Sequence, residues 1–377
     1  MKKLLILVMS LVMVISLAAC GDKAEAPQES AETGQNVGPV EGSKADMLKG
    51  KRIAVVRNLP AGDHTQQFLD GTVSEGKALG FEVETFVTDG DDARMQEVIA
   101  QVIAQGFDGI IASHGQLSYS YDMLKPAIDA GIKVVTFDTM PHKDGNAEGE
   151  LLEGVTSTAQ DDAALAELSL GFMMEEFEAK GGTYPMKVLK TFMGPGIPPL
   201  DRRDVIYNQL VEDGKIETVE IIAPSDTANV RGDMTNKTSA LLPKYAAGSV
   251  DAIWGIYDEL AKGVLQALND AGRTDIPMYM IDISNDDIQL MITNPEVIRS
   301  TAAVDPKLIG IVNMRLLAMK LVGEETPDYY NLNANNVKTN ILNDGISMTN
   351  LDTVVDGWGN AEGEETFNLD WIKEIKK

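Results

Sequence analysis

Two aspartates end apolar stretches of the chain, in positions where a carboxylate is well placed to bind a ligand. Asp138 follows KVVTF (133–137), and Asp282 is the last residue of MYMID (278–282). An ionised carboxylate has two oxygens that accept hydrogen bonds, so each aspartate can bind a pair of hydroxyl groups on a small molecule. For Asp138 the alternative is a structural role as a helix cap or turn residue. Both aspartates are therefore candidates for ligand binding.

The motifs of common catalytic and metal sites are missing from the sequence. MGPGIPPL (193–200) is rich in glycine but lacks the Gly-Lys-Ser/Thr ending of a phosphate-binding loop. DISNDDIQ (282–289) carries several carboxylates but lacks the glycine that a calcium-binding EF-hand loop needs at its sixth position. The chain contains no G-x-S-x-G or H-E-x-x-H motif. We therefore expect no catalytic residue, no bound metal and no cofactor.

Short β-rich stretches alternate with amphipathic stretches along the rest of the chain. Several of the β-rich stretches are unbroken apolar runs, which are typical of strands buried on both faces of a parallel sheet. The ten predicted strands are 53–56, 83–87, 109–113, 133–137, 154–157, 187–192, 219–223, 252–256, 278–282 and 299–304. Helical patterns occupy 66–79, 93–105, 161–177 and 259–271. This alternation predicts an α/β fold with doubly wound parallel sheets.

Two parts of the chain are similar to each other, which indicates two lobes of one plan. GKALGFEVETFV (76–87) compares with VEDGKIETVEIIA (211–223), and QGFDGIIAS (105–113) compares with AGSVDAIWGI (247–256). These segments lie too far apart to be units of a short-period solenoid. Open α/β sheets bind ligands beyond the carboxyl ends of their strands, so two facing lobes would form a cleft between them.

The N-terminus has the build of a secretion signal. Two lysines precede an apolar run at residues 4–19, which is short for a membrane-spanning helix. The tetrapeptide Leu17-Ala18-Ala19-Cys20 resembles the bacterial lipobox, in which cleavage leaves the cysteine as a lipid-bearing N-terminus. We expect a lipoprotein signal peptide at 1–19 and lipid attachment at Cys20, the single cysteine of the chain. An uncleaved short anchor and an ordinary signal with an accidental cysteine are the alternatives.

The segment after the signal and the overall charge limit the partners of the protein. Residues 20–50 are rich in Gly, Ala, Glu, Ser and Pro, which predicts a flexible tether and a folded part that begins near Lys51. The formal net charge of −26 would repel phosphate backbones and anionic membranes. We therefore expect no nucleic-acid partner and membrane contact only through the lipid.

The chain resembles the ribose-type (type I) periplasmic binding proteins, the substrate-binding components of ABC importers for sugars, in QQFLDGTVSEGKALGFEV, FDGIIAS, AGIKVVTFD and YDELAKGVLQALNDAG. The resemblance implies two doubly wound parallel-sheet lobes joined by a three-segment hinge. Lobe one would comprise 51–157 plus 305–328, and lobe two 158–303 plus 329–377. A ligand that contacts both lobes only when the cleft is closed would shift the population to the closed state. The C-terminal extension would clamp lobe two or be solvated.

The resemblance also implies roles for particular residues. The family commonly has Asp-Arg at the position of Asp138, where this chain has Asp138-Thr139, and it has a ligand-binding aspartate at the position of Asp282. Its binding arginine lies at the start of a helix that matches PPLDRRDV, where Arg203 aligns best and Arg202 is its rival. A guanidinium offers a planar fork of donors to hydroxyl or carboxylate groups.

Four further residues are expected at the cleft. Tyr257 stands where the family usually has asparagine, and its ring is suited to stack on the C–H face of a sugar; the adjacent Asp258 is interpreted as a helix cap. His64 and Thr65 match positions where the family places aromatic rings around the sugar, and His114 follows the strand GIIAS. Because that aromatic sandwich is missing, we expect a ligand that is more polar than ribose or differently shaped.

These features predict an extracytoplasmic binding protein, attached by lipid to the outer face of the cytoplasmic membrane or located in the periplasm. It would capture a small polar ligand, which we expect to be a sugar, and deliver it to an ABC permease. The alternative is a sensor that presents a sugar or autoinducer to a receptor kinase or chemoreceptor without import. Both functions depend on the same closed form, so the sequence leaves both open.

Overall fold

The computed structural model describes residues 42–226, 229–359 and 365–377, and these contain twelve strands and eleven helices. The strands are β1 (Arg52–Arg57), β2 (Glu82–Val87), β3 (Gly109–Ser113), β4 (Lys133–Phe137), β5 (Val155–Gln160), β6 (Met186–Thr191), β7 (Ile216–Ile222), β8 (Ala252–Gly255), β9 (Met278–Ile281), β10 (Ile298–Ala303), β11 (Tyr329–Leu332) and β12 (Asn335–Lys338). The helices are α1 (Lys44–Leu48), α2 (Asp63–Ala78), α3 (Asp92–Ala104), α4 (Leu117–Asp129), α5 (Asp162–Ala179), α6 (Pro198–Glu212), α7 (Val230–Leu241), α8 (Asp258–Asp270), α9 (Asn285–Thr293), α10 (Pro306–Leu321) and α11 (Asp370–Ile375).

Two six-stranded sheets organise the chain. The first has the order β11-β5-β4-β3-β1-β2, and all of its neighbouring strands are parallel. The second has the order β12-β10-β9-β8-β6-β7, in which β12 is antiparallel to β10 and the other pairs are parallel. The strand order reverses between β1 and β3 in the first sheet and between β6 and β8 in the second. Such switch points are where α/β sheets bind ligands, and the predicted fold of two doubly wound lobes is confirmed.

The inner strands of the first sheet are buried on both faces, as their apolar sequences predict, whereas the edge strands β2 and β11 are largely exposed. Successive side chains of a strand point to opposite faces. Ile53 and Val55 belong to the core that includes α2 and α10, and Ala54 and Val56 belong to the core that includes α3 and α4; all four are fully buried. All ten stretches predicted as strands form β1 to β10. The short, mostly polar β11 and β12 were missed because neither has an apolar run.

Helix α2, which carries predicted site residues in its first turn, packs closely against α10. A Cβ atom on Gly71 would lie 2.1 Å from the carbonyl oxygen of Lys307, and one on Gly310 would lie 2.2 Å from the carbonyl oxygen of Phe68. The two backbones therefore approach to a distance that only glycine permits. This contact holds α2 in place beside the first sheet.

The chain crosses between the lobes at three neighbouring points, where β5 leads into α5, β10 into α10 and β11 into β12. This arrangement confirms the predicted three-segment hinge. Lobe two was predicted to begin at residue 158 and again at residue 329, and both starts are wrong. Strand β5 continues to Gln160, and β11 pairs with it inside the first sheet. The boundaries implied by the resemblance were too early, since they left the last residues of β5 and all of β11 outside lobe one.

The C-terminal part contacts both lobes, so assigning all of 329–377 to lobe two is also wrong. The backbone N–H of Met348 donates to Oδ1 of Asn285 in the second lobe, at 2.9 Å. Further along the chain, Lys376 Nζ donates to Oε1 of Glu75 on α2 of the first lobe, at 2.7 Å. The tail is therefore neither a clamp on lobe two alone nor a solvated extension.

Folded structure begins earlier than the sequence predicts. Helix α1 lies inside the range 20–50 that was predicted as a tether, and its Leu48 is fully buried. That one apolar side chain joins the core, so the start near Lys51 is corrected to α1. The predicted signal peptide at 1–19 and the predicted lipid site Cys20 lie outside the described residues. Within the described ranges, every helix is too short or too polar to cross a membrane.

Candidate ligand-binding site

A cavity of about 830 Å³ lies between the two lobes, at the carboxyl ends of both sheets. This volume is typical of small-molecule sites. The lobes contact each other beside it, where the backbone N–H of Asn285 on α9 donates to Oδ2 of Asp63 on α2, at 3.0 Å. All seven residues that the sequence predicts to bind ligand line the cavity: Asp138, Arg203, Asp282, Tyr257, His64, His114 and Thr65. The structure brings these side chains together, and their roles in binding stay predictions.

Three of the predicted residues have an unusual backbone conformation. His114, Asp138 and Asp282 each directly follow the last residue of β3, β4 and β9, and their φ angles are 65°, 45° and 78°. A positive φ is strained for a residue other than glycine and persists where the surrounding structure requires it, often at ligand sites. Here the turn directs each side chain into the cavity as the chain leaves the sheet.

Asp138 presents a buried acceptor to the cavity. Its side chain is 6% exposed, and Oδ1 has no hydrogen-bond partner within the described part of the chain. Oδ2 lies 3.7 Å from Nε2 of His114, which is too far for a hydrogen bond. Burial, followed by the negative charge of Asp162, raises the pKa of Asp138 to about 7. A buried acceptor without a partner costs about 1–3 kcal/mol, which a ligand hydroxyl would recover.

Arg57, the last residue of β1, organises the two histidines of the first lobe. Its Nη2 lies 2.6 Å from Nδ1 of His64, and its Nη1 donates to Oγ of Ser113 at 2.7 Å. Ser113 Oγ in turn lies 2.7 Å from Nδ1 of His114. The sequence reasoning missed Arg57 because it placed the end of the strand at residue 56. A charged residue that closes a buried apolar strand was the available signal.

Both histidines are neutral at physiological pH. Burial, followed by the positive charge of Arg57, lowers the pKa of His64 to about 3 and holds the pKa of His114 well below its usual range. Burial also lowers the pKa of Arg57 to about 9, so the guanidinium still carries its charge at neutral pH. Thr65 Oγ1 accepts from Arg57 Nε at 3.3 Å and donates to the Pro60 carbonyl oxygen at 2.8 Å. Thr65 therefore supports Arg57 as well as lining the cavity.

Arg203 forms a buried ion triad in the second lobe. It is 2% exposed, and its Nε donates to Asp162 at 2.9 Å while Nη1 and Nη2 donate to the two oxygens of Asp282 at 2.9 and 3.1 Å. Nη1 also donates to the Ile256 carbonyl oxygen at 2.8 Å. Four of its five N–H groups are thus used, and one remains for a ligand.

The structure distinguishes Arg203 from its rival Arg202. The side chain of Arg202 is 41% exposed and does not line the cavity, and its Nη2 donates to Oδ2 of Asp162. Asp162, the first residue of α5, therefore orients both arginines. The sequence reasoning did not find Asp162, since nothing in its local pattern distinguishes it from a residue of an ordinary helix start.

Tyr257 lines the cavity at the N-cap of α8, and burial raises the pKa of its phenol well above the ordinary value. The interpretation of Asp258 as the cap of this helix is wrong. Asp258 is the first helical residue, and its carboxylate accepts from Lys262 Nζ at 2.6 Å. The strand β8 ends sooner than predicted, which moves the helix start by one residue.

The cations that line the cavity are all ion-paired. Besides Arg203, these are Arg231, which lies 2.8 Å from Glu259, and Lys262, which lies 2.6 Å from Asp258. The lining therefore favours an uncharged ligand over a phosphate or carboxylate. Both lobes also contribute apolar side chains that suit the C–H groups of a ligand: Leu59, Pro60, Met193, Ile197, Leu200 and Ile283.

Comparison with known proteins places the chain among transport proteins. A sequence profile described as "periplasmic binding protein domain" matches residues 53–325. The chain is 39% identical to a sugar ABC transporter protein of known structure from Yersinia enterocolitica; the match covers 88% of this chain and 97% of that one, with a TM-score of 0.75.

Two further solved structures were determined with ligands. The chain is 27% identical to the 5-methylthioribose transporter solute binding protein from Thermotoga lettingae, in complex with 5-methylthioribose, over 86% of this chain and 96% of that one, with a TM-score of 0.71. It is 25% identical to an ABC transporter solute binding protein from Agrobacterium vitis with bound allitol, over 78% and 96%, with a TM-score of 0.63.

Proposed function

This chain belongs to the periplasmic binding protein domain family, among the sugar-binding solute-binding proteins of ABC transporters, and from that premise we propose that it captures an uncharged sugar or polyol in the interlobe cavity and delivers it to an ABC permease. It does so as a lipoprotein outside the cytoplasm, anchored through Cys20 to the outer face of the cytoplasmic membrane. The cavity binds its ligand without transforming it, and no cofactor takes part.

The observation that carries the proposal is the buried, unpartnered Oδ1 of Asp138 at the cavity wall. A hydroxyl group donates one hydrogen bond and accepts others, so it can donate to this carboxylate and accept from a neighbouring donor at the same time. The ion pairing of Arg203, Arg231 and Lys262 supports an uncharged ligand, because none of these cations has a free charge to offer.

Closure of the cleft couples binding to delivery. Asp138 belongs to the first lobe and the Arg203–Asp282 pair to the second, so a ligand between them binds both lobes only when they are close. The differential affinity shifts the population to the closed form. The Asp63–Asn285 hydrogen bond adds a direct contact between the lobes in that form.

The ligands of the relatives suggest where to search. One relative is solved with 5-methylthioribose and another with allitol. The apolar side chains in the cavity of this protein favour a sugar with an apolar substituent, and 5-methylthioribose is therefore expected to bind more tightly than ribose.

A thermal-shift panel tests the proposal with ribose, 5-methylthioribose, allitol and, as the charged control, ribose 5-phosphate. A ligand present at 100 times its Kd stabilises the folded protein by about 2.7 kcal/mol. We expect at least one uncharged compound to raise the melting temperature and ribose 5-phosphate to leave it unchanged. The proposal would be contradicted if only ribose 5-phosphate raised the melting temperature, or if no compound in a wider set of sugars and polyols raised it.

The lipid anchor has its own test. In a bacterial host, the wild-type protein is expected in the membrane fraction, with a mature N-terminal peptide whose mass includes acyl chains on Cys20. A Cys20→Ser variant is expected to lose that mass and to leave the membrane fraction. An unmodified cysteine in the mature protein would contradict the anchor and leave the sugar-binding proposal intact.

A further inference from the structure

Arg57 does not belong to the lining of the cavity, yet its hydrogen bonds decide which ring nitrogens of the cavity histidines carry protons. We propose that Arg57 is a positioning residue that fixes both His64 and His114 as Nε2–H donors for the ligand. This inference rests on the proposed function, since it specifies which hydrogen-bond donors the first lobe offers to a sugar. Its test, however, needs no ligand.

The tautomer of His64 follows from the chemistry of its partner. A guanidinium has five N–H groups and no lone pair, so Arg57 Nη2 must donate and His64 Nδ1 must accept across the 2.6 Å contact. The proton of the neutral ring is therefore on Nε2. Within the described residues this atom makes no hydrogen bond, and the ring lines the cavity. Nε2–H is thus available to a ligand.

The tautomer of His114 follows through Ser113. Arg57 and Ser113 are register partners on the parallel strands β1 and β3, and Nη1 donates to Ser113 Oγ at 2.7 Å. The serine hydroxyl proton then has one acceptor within hydrogen-bond distance in the described chain, which is Nδ1 of His114 at 2.7 Å. His114 accepts there and carries its proton on Nε2, the atom that lies 3.7 Å from Asp138 Oδ2.

Arg57 itself is held rigidly. It is fully buried, its guanidinium lies over the ring of Phe68 at 4.3 Å, and its Nε donates to Thr65 at 3.3 Å. The His114 ring is also held by an edge contact with Phe137, with 5.4 Å between the ring centres. A guanidinium fixed on three sides can impose one proton arrangement on both histidines.

This arrangement specifies the ligand atoms that the first lobe recognises. Two N–H donors and the Asp138 carboxylate face the cavity, and the His114 donor and the Asp138 acceptor are close enough to share one ligand hydroxyl. The ligand must therefore offer hydrogen-bond acceptors to His64 and His114. An ammonium group, which has only donors, is excluded at these two positions.

Imidazole NMR tests the proton arrangement directly, because the protonated and bare ring nitrogens resonate at well-separated frequencies. The chain has three histidines, and His142 is an internal control of the opposite kind: its Nδ1 donates to the Gly149 carbonyl oxygen at 2.7 Å. In the ¹⁵N-histidine-labelled protein at about pH 7 we expect two Nε2–H rings and one Nδ1–H ring. An Nδ1–H ring at His64 or His114 would overturn the proposal.

Two variants separate positioning from a merely structural role. Arg57→Met keeps an apolar side chain over Phe68 and removes the donors, so both cavity histidines are expected to show mixed tautomers and to titrate at a higher pH than in the wild type. Ser113→Ala removes only the hydrogen bonds that link Arg57 to His114. It should change the spectrum of His114, while His64 and His142 keep their wild-type spectra. If Arg57→Met fails to fold, Ser113→Ala still decides, since an unchanged His114 spectrum would overturn the proposal.

Failure of this proposal can be distinguished from failure of the proposed function. The tautomer pattern is read in the ligand-free protein, whereas sugar binding is read from the thermal-shift panel. A protein that binds a sugar but shows Nδ1–H on His114 would overturn only the role of Arg57.

Discussion

Replacing Asp138 by asparagine should weaken ligand binding and yet stabilise the ligand-free protein at alkaline pH. The substitution keeps the size of the side chain and removes its charge. The carboxyl group is 6% exposed, and burial followed by the charge of Asp162 raises its pKa from 3.8 to about 7. Because the carboxyl group is buried and its Oδ1 has no hydrogen-bond partner, the charged form of Asp138 is less favourable than the neutral form.

The sign of the effect on stability follows from proton binding. Between pH 3.8 and about 7 the folded state binds more protons at Asp138 than the unfolded chain does, so the free energy of unfolding falls as the pH rises through this window. This difference in pKa lowers the free energy of unfolding by up to about 4 kcal/mol above pH 7. The D138N variant has no such group and should avoid this loss.

The effect on binding has the opposite sign. Hydrogen bonds to a charged group contribute about 1.5–3 kcal/mol, so removing the carboxylate should raise Kd by roughly 10- to 100-fold. In the wild type, protonation of Asp138 removes the same charged acceptor, and the affinity should therefore also fall as the pH drops through about 7.

Urea unfolding at pH 5 and pH 8, with calorimetric titration of the strongest panel sugar, measures both effects. The control is Asp344→Asn, on the exposed surface, which should change neither quantity. Three results would contradict these expectations: D138N is no more stable than the wild type at pH 8, it is stabilised equally at both pH values, or it binds the sugar as tightly as the wild type.

Three other predictions concern the second lobe, the interlobe contact and the tail. Arg203→Met leaves Asp162 and Asp282 without their buried partner and should lower the free energy of unfolding by about 3–5 kcal/mol. Arg202→Met, at a side chain 41% exposed, should cost less than about 1 kcal/mol; equal losses in urea unfolding would contradict the triad. Asp63→Ala removes the hydrogen bond to Asn285 and should raise Kd by roughly 2- to 10-fold through faster sugar dissociation in stopped-flow fluorescence, whereas Asp70→Ala on the same helix should not. Ile372→Ala should lower the free energy of unfolding by about 2–4 kcal/mol because Ile372 is fully buried. The control is Lys373→Ala, at a side chain that is 37% exposed. Equal stabilities of these two variants would show that α11 is not packed.

The sequence predicts the strands well, and it brings the candidate residues to the edge where the cavity lies, because both depend on local patterns. Unbroken apolar runs are the direct signature of strands buried on two faces, and the residues that follow those runs lie at the carboxyl edge of the sheet. His114, Asp138 and Asp282 each directly follow a strand and line the cavity, and their roles in binding stay predictions. The polar strands β11 and β12 have no such signature and were missed.

The remaining features depend on contacts between residues that are distant in the sequence. Arg57 contacts Ser113 and His64, and Asp162 contacts two arginines about forty residues further along the chain. No local pattern encodes such partners. The return of the C-terminal tail to the first lobe likewise depends on Lys376 meeting Glu75, a pairing that composition does not reveal.

A crystal structure of the protein with the sugar that binds most tightly in the thermal-shift panel would show which groups hold the ligand. We predict one sugar molecule in the interlobe cavity, with a hydroxyl group within hydrogen-bond distance of Asp138 on the first lobe and another group bound to the Arg203–Asp282 pair on the second. A sugar bound outside the cavity, or one that contacts a single lobe, would contradict it.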